Sequence, residues 1–369
     1  MPKIKSQSSF GLLRRSTVSD YVTAIAWSPD GAWFVASSAA GEVVQCAVNT
    51  GETTVLLGEQ GESVDALAIS ADGHFLAAGG QAGTVWIWRL ENQAATLVET
   101  LEHSRVWIDC LQWNPQHAEL AFAYGRYVEV WDAADQSVVT TLNFDASSVL
   151  DLAWHPQGDR LSASGNQVIK TWQRQDWDED PTVLETGIAS SAIAWSSDGN
   201  YFAAGNNDHS VMMWVEGDPH PWRLGGFPGK VRQVVWSTVT ASFDSPMLAS
   251  MSGQRVAVSI RVAADPSAPS DSSDPSDPST GWQSKALDAH QGTVSAIAFQ
   301  PNTLLLASAA EDGRLCLWNQ GSQLAQTLEH QSTEFSCLAW SPSGGAIAAG
   351  GRQGELLVWT KITPGKGFG

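Results

Sequence analysis

An apolar segment that returns about every 41 residues limits how this chain can fold more than any other feature. VTAIAW, VDALAI, WIDCLQW, VLDLAW, SAIAW, VRQVVW, VSAIAF and FSCLAW end at Trp27, Ile69, Trp113, Trp154, Trp195, Trp236, Phe299 and Trp340. The successive steps are 42, 44, 41, 41, 41, 63 and 41 residues, so the chain holds eight copies of one unit. Inside a copy, Ile25 and Trp27 alternate with Ala24 and Ala26, the two-residue period of a strand. A repeat of this length in a strand-patterned chain signals sheet units stacked on one another.

The rest of the unit is equally regular. Strand a is followed by a reversal (SPDG, SADG, NPQH, HPQG, SSDG, QPNT or SPSG) in which Pro and Gly supply the backbone angles. Unit 6 departs with the longer STVTASFDSPM. Strand b is rich in small residues (FVASS, FLAAGG, LLASAA, AIAAGG), which suits crowded backbone packing. Asp312-Gly313 then makes a hairpin turn in unit 7. Strand c is a Val/Leu/Trp run ending at Trp88, Trp131, Trp172, Trp214, Trp318 and Trp359, with Cys46 and Ser259 at that place in units 1 and 6. A fourth strand, such as TLVETLEH, leads onward. Open twisted sheets rarely exceed about ten strands, so eight such units close radially. The expected fold is an all-β, eight-bladed β-propeller of four-stranded antiparallel blades, one domain over residues 1–369.

The spacing, the strand-a segments, the Pro/Asp-Gly turns and the Trp ending strand c together resemble the WD40-repeat family over essentially the whole chain. The name dipeptide stands at its place once, as Trp131-Asp132, so the repeats are degenerate. Propellers of this family most often have seven blades, against eight units here. The turns and the Trp/Gln/Ala-rich style suggest a bacterial member. Unit 8 supplies strands a, b and c, and TKITPGKGFG after Trp359 makes a poor strand. As in similar propellers, the spare N-terminal segment Ser9 to Val18 is expected to complete the last blade. The resemblance also implies a hydrogen-bonded set of a His before strand a, a Ser or Thr in strand b, an Asp in the b–c turn and the strand-c Trp. Unit 7 alone has all four, as His290, Ser308, Asp312 and Trp318. Their structural places and the lack of a nucleophile elbow argue against a hydrolase triad. Units 3 and 8 keep His103 and His330 without the Asp, and unit 5 keeps Asp208 without the His.

In a propeller the start of strand a lies at the rim of the central channel. Two rings of positions there correspond to those with which similar WD40 domains hold peptide segments of partner proteins. From these rings come Asp65 and Asp109 on neighbouring blades, Lys230 and Arg232 on blade 6 opposite blade 2, aromatic Tyr21 and Trp107, and Leu150 and Ser336. Aromatic residues and Arg are typical interface anchors. The expectation is a polarised site, acidic on blades 2 and 3 and basic on blade 6, that captures a partner peptide. The bland alternative is that Arg232 pairs within the rim and Trp107 packs under a loop.

Little else in the chain carries chemistry. GGFPGKV lacks the leading Gly and following Ser/Thr of a phosphate loop, and no metal-ligand spacing of His or Cys occurs. No catalytic residue, cofactor or metal is expected. A net charge of −19 argues against nucleic acid or an anionic membrane as partner. Four scattered cysteines, an N-terminal segment without an apolar core and no run near 18 apolar residues point to a cytoplasmic, reduced protein, monomeric on its own. The Pro/Ser/Asp-rich stretch 263–281 explains the step of 63 and is expected to be a disordered insertion between strands c and d of unit 6. With QDWDEDP and EGDPHPW it gives the opposite face an acidic fringe, where Trp177 and Trp222 are candidate anchors beside the plainer reading of tolerated insertions. The functional expectation is a non-catalytic scaffold for partner proteins or peptides. The alternative is an enzyme or accessory protein with a small-molecule or metal site in the channel.

Overall fold

The reversal after strand a is built by the side chains its sequence supplies. Ser28 Oγ donates to Asp30 Oδ1 at 2.6 Å and accepts the Trp33 N–H, while Gly31 takes a left-handed φ of 69°. Ser70 with Asp72 and Ser196 with Asp198 repeat the arrangement. The hydroxyl so placed satisfies an N–H at the start of strand b that no ladder reaches.

Between such turns the apolar alternation forms strands. The computed structural model describes residues 10–91, 94–103, 106–145, 147–241, 245–262, 281–329 and 334–362, in which 32 strands and no helix form eight four-stranded antiparallel sheets. Blade 1 runs Val22–Trp27, Trp33–Ser38, Val43–Ala47 and Thr53–Leu57 from channel to periphery. The first strand of every blade contacts those of its two neighbours, and Phe335–Trp340 of blade 8 meets Val22–Trp27 of blade 1, so the ring is closed. The N-terminal strand Phe10–Thr17 pairs antiparallel with Glu355–Lys361 and is the outer strand of blade 8. Phe10 N–H donates to Gln326 Oε1 at 3.1 Å and Gln326 Nε2 donates back to Phe10 O at 2.7 Å, which ties this strand to blade 7.

No blade can bury its faces alone, and the buried apolar residues fall into eight clusters, each shared by two adjacent blades. Burying a large apolar side chain contributes about 1.5–3 kcal/mol, so these seams hold the ring together. The glycines of strand b have the same origin. A Cβ at Gly79 would lie 2.7 Å from Ile108, one at Gly205 would lie 2.8 Å from Val231, and one at Gly350 would strike Val22. In each case the neighbour is a β-branched residue at or just before the first strand of the next blade.

Two boundaries differ from the sequence reading. Gly281 does not belong to the insertion; it opens strand d of blade 6, Gly281–Leu287, opposite Val262. A Cβ there would sit 2.7 Å from the Trp222 ring, so the indole requires glycine. Residues 263–280 lie outside the described residues, as does His330. In blades 3 and 4 strand a is short, Leu111–Trp113 and Asp151–Trp154, so Trp107, Asp109 and Leu150 stand in the connections that precede it. Both connections stay attached to strand b through Ala123 N–H to Cys110 O and Leu150 N–H to Ser164 O.

Candidate partner-binding face

The channel face is fixed by bonds between neighbouring blades. Trp27 Nε1–H donates to Ala339 O at 3.0 Å, Trp113 to Ala68 O, Trp154 to Gln112 O, Trp236 to Ala194 O and Trp340 to Ala298 O at 3.1 Å. These five indoles reach the backbone of the preceding blade, whereas Trp195, which ends strand a of blade 5, donates to the Ser162 hydroxyl of blade 4 at 3.1 Å. Ile69 and Phe299 have no such donor. The identity of these residues as Trp was visible in the sequence, but their partners depend on the ring geometry. In the opposite direction, Thr23 donates to Val64 O, Ser191 to Val231 O and Ser336 to Val22 O of the following blades.

These bonds sort the predicted rim residues. The Ser336 hydroxyl is committed to the seam between blades 8 and 1, at 2.6 Å from Val22 O. Tyr21 is half-buried, and burial raises its phenol pKa against the opposing pull of Arg352. Arg352 itself pairs with Glu311 and with Glu334 at 3.3 Å, so both acids on this side of the rim have a cationic partner. Lys230 and Arg232 are exposed and have no ion-pair partner among the described residues. Trp107 is 56% exposed, Val106 38% and Leu150 39%. Trp107 does not pack under a loop. Asp65 accepts the Ser63 hydroxyl at 2.5 Å. Partial burial, and then the charge of Asp65, raises the pKa of the Asp109 carboxyl.

A third carboxylate, Asp151, escaped the sequence reading because it lies one position out of the register of the rings. Its Oδ1 accepts the Leu152 N–H and its Oδ2 the Ile193 N–H of blade 5, both at 2.8 Å. The carboxyl group is enclosed by protein although the residue keeps some surface, and burial pushes its pKa up to about 6 despite both bonds. Between Asp109 and Asp151, the Cys110 thiol is raised well above its usual value by burial first and then by these two charges. Among the described residues no three His, Cys, Asp or Glu side chains are placed to share a metal ion.

In blade 7, Ser308 Oγ stands 2.8 Å from His290 Nε2 and accepts the Trp318 Nε1–H at 2.9 Å, and His290 Nδ1 is 3.4 Å from Asp312 Oδ1. Burial holds the imidazole below its usual pKa, outweighing the pull of Asp312. Asp312 also accepts the N–H groups of Gln291 and Arg314, so it fixes the b–c turn. All four groups lie inside the blade. On the opposite face, Trp177 packs edge-on against Trp154 of its own blade at 6.1 Å, and Trp222 of blade 5 lies over Gly281 of blade 6, so both are engaged in packing within the ring.

The family model described as "WD domain, G-beta repeat" matches residues 12–44, 52–89, 136–173, 185–215, 281–319 and 322–360. The chain is 28% identical over 181 residues to Protein HIR1 of Cryptococcus neoformans, which covers 40% of this chain and 17% of the relative. It is 33% identical over 89 residues to the small ribosomal subunit protein RACK1y of Oryza sativa (23% of this chain, 26% of that one). It is 29% identical over 85 residues to Actin-interacting protein 1-2 of Arabidopsis thaliana (22% of this chain, 14% of that one). The matches thus span about a quarter or less of each relative's length. These relatives are eukaryotic and lend no support to the expectation of a bacterial source.

Proposed function

Because the chain belongs to the WD40-repeat family, we propose that it is a non-catalytic scaffold that holds a partner protein or peptide segment on the channel face formed by the starts of strand a. The observation that carries this reading is the uneven use of that rim. Ser336 is spent on a seam and Tyr21 is half-buried beside Arg352, whereas Trp107, Val106, Leu150, Lys230 and Arg232 are held exposed. Exposed aromatic and basic side chains on a stiff frame are what interfaces use as anchors. The names of two relatives support the same class of function: one is an actin-interacting protein and one a component of the small ribosomal subunit.

The test is affinity purification of the tagged full chain from its native cell, beside a form carrying Asp65→Lys and Asp109→Lys. The wild type should retain a defined protein that the variant loses while both elute and melt alike. Equal recovery by the two forms would remove this face from the reading, and turnover of a metabolite by purified protein would remove the non-catalytic role.

A further inference from the structure

A cavity lies between the connections that lead into blades 3 and 4. It measures about 220 Å³ and is lined by Val106, Trp107, Asp109, Cys110, Ser148 and Val149 among others. Its mouth is apolar and open: Trp107 and Val106 are exposed, and Leu150 follows Val149 with 39% of its surface free. One wall is acidic. Asp109 lines the cavity beside Cys110, the charge of Asp65 on the neighbouring blade acts on Asp109, and that of Asp151 acts on Cys110. No Lys, Arg or His pairs with any of the three carboxylates among the described residues. On blade 8, by contrast, Arg352 pairs with Glu311 and Glu334. An apolar hole beside uncompensated negative charge fits a ligand that brings both an apolar group and a cation.

We infer that this site takes a peptide segment in which a lysine or arginine stands next to an apolar residue: the apolar side chain seats against Trp107 in the cavity, and the cation faces Asp109 and Asp65. The inference rests on the proposed scaffold function and names the chemistry of its partner. It also assigns the exposed Lys230 and Arg232 of blade 6 no part in this first contact. Lys230 and Arg232, on which an acidic segment would dock in the opposite-sign assignment, do not line this cavity.

The full chain, immobilised, is panned with a phage-displayed library of random dodecapeptides, and one enriched peptide is labelled with fluorescein and titrated by anisotropy. Enriched sequences should share a Lys or Arg adjacent to an apolar residue. Asp109→Asn, and the pair Asp65→Asn with Asp109→Asn, should weaken the labelled peptide at least about tenfold, as should Trp107→Ala. Lys230→Ala with Arg232→Ala should leave it unchanged. Affinity should also fall as sodium chloride rises from 50 to 500 mM, because the contact at Asp109 is exposed to screening. Acidic enriched peptides whose capture needs Lys230 and Arg232 would overturn this inference and leave the scaffold reading standing. Enrichment indifferent to all of these substitutions, or none above empty beads, would overturn both.

Discussion

Replacing Asp151 by Asn should change how the stability of this protein depends on pH. The Asp151 carboxyl is raised from 3.8 to about 6, chiefly by burial, so in the native state it holds its proton more firmly than in the unfolded chain. Between those two values the native state binds more protons, and stability falls as pH rises. Below pH 3.8 both states are protonated and the cost is absent; above about pH 6 it is present in full. The difference corresponds to about 3 kcal/mol at most. Asparagine carries no charge and keeps one oxygen for the Ile193 N–H, while losing the second acceptor that serves Leu152, a constant penalty of about 1 kcal/mol. The stability of Asp151→Asn relative to wild type should therefore rise by about 2–3 kcal/mol from pH 3.5 to 7.5, whatever its offset. Guanidinium unfolding of both proteins, followed by tryptophan fluorescence across that range, reads the difference directly. A flat difference would refute the argument that an enclosed charge is being carried at neutral pH, and a falling one would reverse its sign.

Ser308→Ala removes the acceptor of the Trp318 indole and the partner of His290 together, leaving two buried polar groups unmatched. Thermal melts should show a loss of about 2–4 kcal/mol, and a loss under 1 kcal/mol would mean that water takes the hydroxyl's place. Deleting residues 1–18 removes the outer strand of blade 8 and exposes the face that Phe10, 2% exposed, covers. The truncated chain should melt lower, by about 3 kcal/mol for Phe10 alone, and should self-associate through the unpaired edge of Glu355–Lys361. Elution and melting identical to the full chain would contradict the closure.

The architecture was legible because every unit states the same local chemistry. The Ser-Pro-Asp-Gly reversals, the strand-a alternation and the small residues of strand b each follow from the bonds and contacts now visible at Ser28, Trp27 and Gly205. The rim was legible only as a set of positions. Sequence could place Ser336 and Trp107 on adjacent rings of one rim, yet one is consumed by Val22 O of the next blade and the other stands in the open. That distinction depends on partners in other blades. Asp151 was missed for the complementary reason, since a ring drawn by strict register passes over a residue displaced by one.

The clasp between the two termini carries a consequence for biosynthesis. Phe10 is bonded to Gln326, 316 positions away, and its ladder partner Lys361 comes later still. During translation the N-terminal strand emerges before every blade and must wait, unmated, until seven blades and the third strand of the eighth have been made. Contacts this distant in the chain are slow to form, and a waiting edge can find a strand of another nascent molecule. Completion of the eighth blade thus decides between a shut ring and a tangle of chains. Agents that cradle extended segments on the ribosome should raise the yield of this protein more than that of an unclasped repeat of equal length.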